Sequence, residues 1–196
     1  MKTERKTLLI LSGGRGARFG GDKGLSLFEG RAMIKRVLDT LRPLADDVVV
    51  AVAPGWSPEY RKLIGGSAVI VEDSEAHRGP LRGLRDALAH VKGDIVILSA
   101  CDMPFMKIDL YRLLLGRLES NDAVVPVLGG FNEPIMGVYR VKQLRKAIDA
   151  ATTKGEAKLS SVLRNLNFKR VTEDELLQAG LDSNVFINLN KPPAKQ

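Results

Sequence analysis

Residues 8–25 read Leu8-Leu9-Ile10-Leu11-Ser12-Gly13-Gly14-Arg15-Gly16-Ala17-Arg18-Phe19-Gly20-Gly21-Asp22-Lys23-Gly24-Leu25. The apolar start of this segment is typical of a buried strand, and a glycine-rich basic loop follows it directly. Five glycines ahead of the Asp-Lys pair allow successive backbone N–H groups to converge on an anion, because no Cβ blocks the approach. Arg15, Arg18 and Lys23 add positive charge. The segment therefore predicts a site for a strongly negative ligand, and triphosphate is the natural candidate.

The loop matches neither of the two common nucleotide-binding signatures. A P-loop frame that starts at Gly16 places Asp22 where the motif requires lysine. A dinucleotide fingerprint that starts at Gly14 meets Phe19 at its third glycine position. The next apolar run ends without the acidic residue that would hold a ribose, so the pattern disfavours a dehydrogenase.

Composition and charge narrow the class of protein. A chain of 196 residues, 44% of them hydrophobic, can bury one good core, so we expect a single domain over residues 1–196. The single cysteine excludes an internal disulfide and a CxxC metal site, and two histidines leave little for zinc. The absence of a transmembrane-length run or a signal-peptide pattern predicts a cytoplasmic protein without a membrane partner.

The net charge of +7 has two interpretations, a nucleic-acid partner or a small polyanionic substrate. Basic residues are spread along the chain and only 5% of residues are aromatic, so stacking platforms for bases are scarce. We therefore expect no nucleic-acid partner, and we expect a functional role mainly for the cations of the glycine-rich loop.

Apolar β-branched runs alternate with amphipathic stretches, regularly in the first half of the chain and less so in the second. The predicted strands are residues 8–11, 48–52, 68–71, 95–98, 123–127, 135–139 and 185–189. The predicted helices are residues 33–41, 58–64, 81–91, 110–118, 144–150 and 159–166. This alternation predicts an α/β fold with a parallel sheet and helices on both faces.

Two aspartates follow predicted strands at the edge where ligands bind in open α/β sheets. Asp102 comes directly after an apolar strand, and a carboxylate beside a triphosphate is favourable only with a cation such as Mg²⁺ between them. Asp73 ends another strand, close to a helix start flanked by Gly79 and Gly83. In the alternative interpretation, both aspartates are ordinary turn and capping residues.

Asn188 and Asn190 lie two residues apart, on the same face if residues 185–189 form a strand. Paired amides at this place could hold a polar ligand or complete a metal shell. Alternatively, they bond neighbouring backbone.

Together these motifs resemble the molybdenum cofactor guanylyltransferase family. They occur in the order found in that family and cover most of the chain. The matching segments are Leu11-Ser12-Gly13-Gly14 through Arg18, Gly21-Asp22-Lys23-Gly24-Leu25, Glu72-Asp73, Gly79-Pro80-Leu81, Cys101-Asp102-Met103-Pro104 and Asn188-Leu189-Asn190-Lys191-Pro192.

The resemblance implies a Rossmann-like three-layer α/β sandwich of the nucleotidyltransferase type, with a mostly parallel sheet. It implies transfer of GMP from GTP to the terminal phosphate of molybdopterin or its molybdenum form, with release of pyrophosphate. Proteins that deliver or receive the cofactor would be transient partners.

The resemblance also implies roles for individual residues. The nucleotide would contact the backbone of the first motif, and Lys23 would contact its phosphates. In the transfer that follows, Arg18 would join Lys23 in offsetting charge on the leaving pyrophosphate. Asp102 would contact both Mg²⁺ and the nucleotide, and Asp73 would help to hold the guanine nucleotide. Asn188 and Asn190 match the pterin-side motif. In chain order these residues are Leu11, Ser12, Gly13, Gly14, Arg18, Lys23, Asp73, Asp102, Asn188 and Asn190.

One departure from the family pattern leaves the base open. Ala51 stands where the family has an asparagine that contacts the nucleotide. Related alternatives with the same chemistry are a molybdopterin cytidylyltransferase, a phospholactate guanylyltransferase and a sugar-phosphate nucleotidyltransferase. A non-catalytic nucleotide- or nucleic-acid-binding protein is an alternative of another class. Asp102 argues against it, because a carboxylate repels a polyanion unless a metal ion intervenes.

Overall fold

The computed structural model describes residues 3–12, 21–73 and 80–189. The strands within these ranges are β1 Lys6–Ser12, β2 Leu27–Phe28, β3 Arg31–Ala32, β4 Asp47–Val52, β5 Val69–Glu72, β6 Ile95–Ala100, β7 Ala123–Leu128, β8 Phe131–Asn132, β9 Val138–Arg140 and β10 Phe168–Val171. The helices are α1 Met33–Leu41, α2 Ser57–Ile64, α3 Pro80–Leu88, α4 Ile108–Gly116, α5 Val141–Thr153, α6 Leu159–Val162 and α7 Glu173–Gln178.

The central sheet has the strand order β10-β7-β9-β6-β1-β4-β5. β1 pairs in parallel with both β4 and β6, and β5 pairs in parallel with β4. β9 is antiparallel to its neighbours β6 and β7, whereas β10 is parallel to β7. β8 pairs with β7, and β2 and β3 form a separate hairpin. The sheet is therefore mixed and mostly parallel, as the resemblance implied, and antiparallel β9 departs from the parallel sheet that the alternation of elements predicted.

Helices cover both faces of the sheet because β1 is apolar on both of its sides. Leu8 and Ile10 pack on the face covered by α1, α2, α4 and α7. Leu9 and Leu11 point the other way and pack with α3, α5 and α6. The predicted three-layer α/β sandwich is confirmed.

The largest correction to the predicted elements is near the C-terminus, where the strand expected at 185–189 is wrong. Ser183–Phe186 forms a 3₁₀ turn, and residues 187–189 have no regular structure. The Asp182 carboxylate accepts a hydrogen bond from the Asn184 amide at 3.0 Å and favours a turn here. Val185 and Phe186 are buried as consecutive side chains rather than in strand alternation.

Other differences lie in the second half of the chain. The strand expected at 135–139 divides into a 3₁₀ turn at Pro134–Met136 and β9. β10 and α7 were not predicted, although the N-terminus of α7 carries a recognisable signal. Thr172 and Glu175 form a capping box there, with each side chain bonded to the other residue's backbone amide. Within the described residues, no helix is long and apolar enough to cross a bilayer. The single-domain organisation stays a prediction.

Candidate active site

The parallel strands bring their carboxyl ends to one edge of the sheet. In the register of the sheet, Ser12 at the end of β1 lies opposite Val52, and Val52 lies opposite Glu72. Ala100 at the end of β6 lies opposite Leu11. The segments that follow these strands therefore start side by side, as the topology of open α/β sheets requires.

Lys23 joins two of the predicted site residues. Its ammonium forms an ion pair with Asp102 Oδ2 and donates a hydrogen bond to Asn188 Oδ1 at 2.9 Å. The ion pair is mostly buried, with side-chain exposures of 19% for Lys23 and 11% for Asp102. The Leu189 amide also donates to the Asp102 carbonyl at 3.1 Å. Asn188 thus reaches the site although the strand predicted around it does not form.

The second carboxylate oxygen of Asp102 is different. Oδ1 is buried and has no hydrogen-bond partner within the described part of the chain. A buried acceptor without a partner is costly, and such atoms in native proteins usually serve a ligand, water or ion. Asp102 Oδ1 therefore fits a hard cation such as Mg²⁺. No backbone amide of the described residues caps this carboxylate, so the helix-capping alternative gains no support.

The backbone around Lys23 is shaped by Asp22. Asp22 Oδ1 accepts hydrogen bonds from the backbone amides of Gly24 at 2.8 Å and Leu25 at 3.3 Å, and from the Tyr60 hydroxyl. Burial raises the pKa of Asp22, and these hydrogen bonds oppose the rise. Neither Asp22 nor Tyr60 was predicted from the sequence as a site residue. An Asp two residues before a Gly is the signal of an Asx turn, but nothing in the sequence pairs it with Tyr60.

Asp73 lies at the end of β5 against the first turn of α3. Its backbone amide donates to the Val52 carbonyl at 2.9 Å. A Cβ built on Gly83 would lie 2.5 Å from Asp73 Oδ1, so this close approach needs glycine. Burial and the nearby Asp86 raise the pKa of Asp73 to about 6. The structure therefore places a partly buried carboxyl group with a raised pKa beside the start of a helix.

Cys101 precedes Asp102 and is fully enclosed. Its amide donates to the Leu11 carbonyl at 3.0 Å, which ties β6 to β1 at the site. Burial, with a smaller contribution from Asp102, raises the pKa of the Cys101 thiol to about 12. The thiol stays protonated at neutral pH, in agreement with a packing role rather than a nucleophilic one.

The remaining predicted residues divide into two groups. Leu11 and Ser12 end β1 with buried side chains, so the contacts expected of them would use backbone atoms. Ala51 is buried among apolar side chains on the α3 face of the sheet and offers no polar side-chain group. The others lie outside the described residues, namely Gly13, Gly14, Arg18 and Asn190.

A family model for the MobA-like NTP transferase domain matches residues 8–171. The chain belongs to this family. Among curated relatives of this MobA-like chain, a probable molybdenum cofactor guanylyltransferase of Bacillus licheniformis is 32% identical, and the match covers 93% of this chain and 91% of the relative. A molybdenum cofactor guanylyltransferase of Desulfosudis oleivorans is 33% identical, with coverage of 94% and 89%.

Solved structures share the fold of this MobA-like domain. Molybdopterin-guanine dinucleotide biosynthesis protein A from Archaeoglobus fulgidus superposes with a TM-score of 0.77 at 24% identity, covering 95% of this chain and 93% of that one. The 2-C-methyl-D-erythritol 4-phosphate cytidylyltransferase of Thermus thermophilus gives a TM-score of 0.73 at 20% identity, with coverage of 96% and 94%. One backbone architecture thus accompanies different bases and acceptors among these proteins.

The raised pKa of Asp73 predicts a pH-dependent gain in stability from Asp73→Asn. The folded-state pKa of about 6 exceeds the usual 3.8, so the ionised carboxylate destabilises the fold above pH 6 and this cost fades as pH falls towards 3.8. A shift of this size corresponds to about 3 kcal/mol for a fully enclosed group, which partial exposure reduces to about 1 kcal/mol. We expect Asp73→Asn to raise the free energy of unfolding by about 1 kcal/mol at neutral pH and by almost nothing near pH 4.

Urea unfolding of both proteins across this pH range measures the effect. Asp109→Asn, which alters an exposed carboxylate on α4, is the matched control and should show no comparable gain at neutral pH. A gain from Asp73→Asn that is the same at every pH would contradict the prediction.

Proposed function

We propose that this chain transfers GMP from GTP to the terminal phosphate of molybdopterin or of its molybdenum form, releasing pyrophosphate. The observation that carries the proposal is the contact of one ammonium group, on Lys23, with both Asp102 and Asn188. These residues lie 79 and 165 positions from Lys23 and belong to the nucleotide-side and acceptor-side motifs of the resemblance. Both relatives carry the name molybdenum cofactor guanylyltransferase, for one of them as a probable assignment, which supports the same activity.

The reaction needs no covalent intermediate with the protein. An oxygen of the acceptor phosphate attacks the α-phosphorus and forms a new P–O bond. The bond from the α-phosphorus to the oxygen that links it to the β-phosphorus breaks, and its electron pair leaves with pyrophosphate. A phosphate monoester is largely ionised near neutral pH, so the attack needs no general base. The protein therefore acts by positioning the two substrates and by offsetting negative charge.

Lys23 is the described cation best placed for charge compensation. A lysine ammonium is a compact point charge on a flexible stem, suited to phosphate oxygens whose positions change during the reaction. In the proposal, Lys23 and Arg18 offset the charge that develops on the departing pyrophosphate. The Asn188 contact would keep the ammonium on the side of the acceptor as well.

Asp102 would hold Mg²⁺ through Oδ1, the buried oxygen without a partner. Mg²⁺, when bound, would withdraw negative charge from phosphate oxygens. Within the described residues no group of three or more His, Cys, Asp or Glu side chains could form a metal cage. Oxygens of the substrates and of water would complete the coordination, which is the usual arrangement for Mg²⁺ at phosphate sites.

The choice of base can be tested with a panel of GTP, CTP, ATP and UTP in the presence of Mg²⁺. In the proposal, Asp73 holds the guanine nucleotide, and we expect GTP to bind at least about tenfold more tightly than CTP, a difference of about 1.4 kcal/mol. Calorimetry measures binding, and pyrophosphate release with molybdopterin measures transfer. Ala51 leaves the base open, so a cytidylyltransferase is the second candidate, and tighter binding of CTP would move the chain to that activity.

Lys23→Ala should weaken nucleotide binding in proportion to phosphate number. Loss of the point charge should cost about tenfold in affinity for GTP but less than about threefold for GMP. Calorimetric titration of GMP, GDP and GTP measures the series. Lys35→Ala, which removes a partly exposed lysine on α1, is the control and should leave all three affinities unchanged. Equal losses for GMP and GTP would place Lys23 away from the distal phosphates.

Asp102→Asn tests the metal assignment, because asparagine keeps the shape and the acceptor for Lys23 but loses the charge. We expect turnover to fall on the order of a hundredfold or more. Calorimetry should also show that Mg²⁺ no longer strengthens GTP binding. The variant should still unfold cooperatively, and the exposed substitution Asp109→Asn should retain full activity. Near-normal transfer by Asp102→Asn would reduce Asp102 to a turn residue.

A further inference from the structure

A buried chain of polar side chains lies under the segment that carries Lys23. The Tyr60 hydroxyl donates its hydrogen to Asp22 Oδ1, and a hydrogen bond also joins it to Ser12 Oγ. A phenol has a single hydrogen, so Ser12 must donate to the Tyr60 oxygen. Ser12, Tyr60 and Asp22 are each at most 6% exposed. We call these three residues the Ser12–Tyr60–Asp22 network.

The Ser12–Tyr60–Asp22 network contacts the backbone on both sides of Lys23. On one side, Tyr60 bonds Asp22, whose Oδ1 also accepts from the Gly24 and Leu25 amides. On the other side, a Cβ built on Gly24 would collide with the Tyr60 hydroxyl and with Ser12 Oγ. The Tyr60 oxygen therefore stabilises the turn at Asp22 and leaves no room for a side chain at Gly24, directly after Lys23.

The helix that carries Tyr60 is itself tied to the other half of the site. The Ser57 amide at the start of α2 donates to Glu72 Oε1 at 2.9 Å, and Glu72 precedes Asp73 at the end of β5. α2 thus connects the segment that holds Asp73 with the segment that holds Lys23. A displacement of α2 would move the support of both.

Packing alone does not require a hydroxyl at this place. The Tyr60 ring is fully buried in the apolar cluster on the α1 face, where phenylalanine would fill the same space. Burial of a hydroxyl, a carboxylate and a serine is favourable only when their hydrogen bonds are satisfied, and such networks select one geometry. The long stem of Lys23 leaves its ammonium position dependent on the backbone that the network holds.

We propose that Tyr60 is a positioning residue that acts through Asp22 to hold Lys23 where its ammonium meets Asp102 and the phosphates of the substrate. The inference rests on the proposed function only for the presence of a nucleoside triphosphate as ligand. In this proposal, Tyr60 contacts neither the substrate nor Asp102, which is the ion-pair partner of Lys23.

The test is Tyr60→Phe, alone and combined with Lys23→Ala. We expect Tyr60→Phe to weaken GTP binding about tenfold and GMP binding less than about threefold, the same dependence on phosphate number as for Lys23→Ala. In the Lys23→Ala background, Tyr60→Phe should cost less than about twofold further, because the group that it positions is gone. Calorimetry with Mg²⁺, and with CTP and CMP in parallel, gives these affinities.

Tyr111→Phe is the matched control. Tyr111 is equally buried and donates one hydrogen bond, to the Leu98 carbonyl at 2.6 Å, away from the Lys23 segment. The Tyr111→Phe substitution should lower the temperature of unfolding without a loss of affinity that depends on phosphate number. Equal losses for GMP and GTP in Tyr60→Phe, or losses that add fully to those of Lys23→Ala, would overturn the proposal.

Substitutions of Asp22 decide the question if Tyr60→Phe does not fold. Asp22→Asn keeps the Oδ1 acceptor and should bind GTP within about threefold of the unaltered protein, whereas Asp22→Ala should lose about tenfold. Equal GTP binding by Asp22→Ala and the unaltered protein would overturn the proposal. Failure of the unaltered protein to form a guanine dinucleotide would refute the proposed function alone, since the positioning test measures nucleotide binding without the acceptor.

Discussion

The parallel pairing of β1 with β4 and β6 is the constraint on which the rest of the molecule depends. Because the three strands run in the same direction, everything that follows them begins at one edge of the sheet. β1 can occupy this central position because it is apolar on both faces, so that helices cover it from both sides. The same apolar run that builds the core therefore also decides where polar residues from distant parts of the chain can meet.

The ion pair of Lys23 with Asp102 explains how a carboxylate can stand in the proposed site for phosphates. A mostly buried ion pair contributes little net stability, since desolvation offsets its attraction, so its presence needs another reason. One oxygen of Asp102 is balanced by the ammonium, and the other has no partner among the described residues. This asymmetry leaves the carboxylate able to receive a cation while the lysine limits its repulsion of an anionic ligand.

Sequence patterns predicted those parts of the molecule that depend on local periodicity. The central strands and the helix at 58–64 were found because burial dictates their apolar spacing. Asn188 was assigned to the site through its motif, although the strand predicted around it was wrong. Asp182 favours a turn there, which the hydropathy pattern does not show. β10 was missed because Lys169 and Arg170 interrupt the apolar pattern of a peripheral strand. Tyr60 was missed because it meets Asp22 and Ser12 from 38 and 48 residues away.

The charged residues at the two ends of the sheet differ, and this contrast supports the proposed site without reference to any relative. At the amino end, Arg5 is exposed and forms a 2.8 Å ion pair with Asp47, and the Asp94 carboxylate accepts from the Arg5 amide. At the carboxyl end, burial raises the pKa of Asp22 and of Asp73. Carboxyl groups with raised pKa values cluster at functional sites and in the networks that support them, whereas paired surface charges serve solubility. Burial of the two apolar layers thus offsets the cost of the carboxylates enclosed at this edge, where the proposed nucleotide chemistry would need preorganised groups.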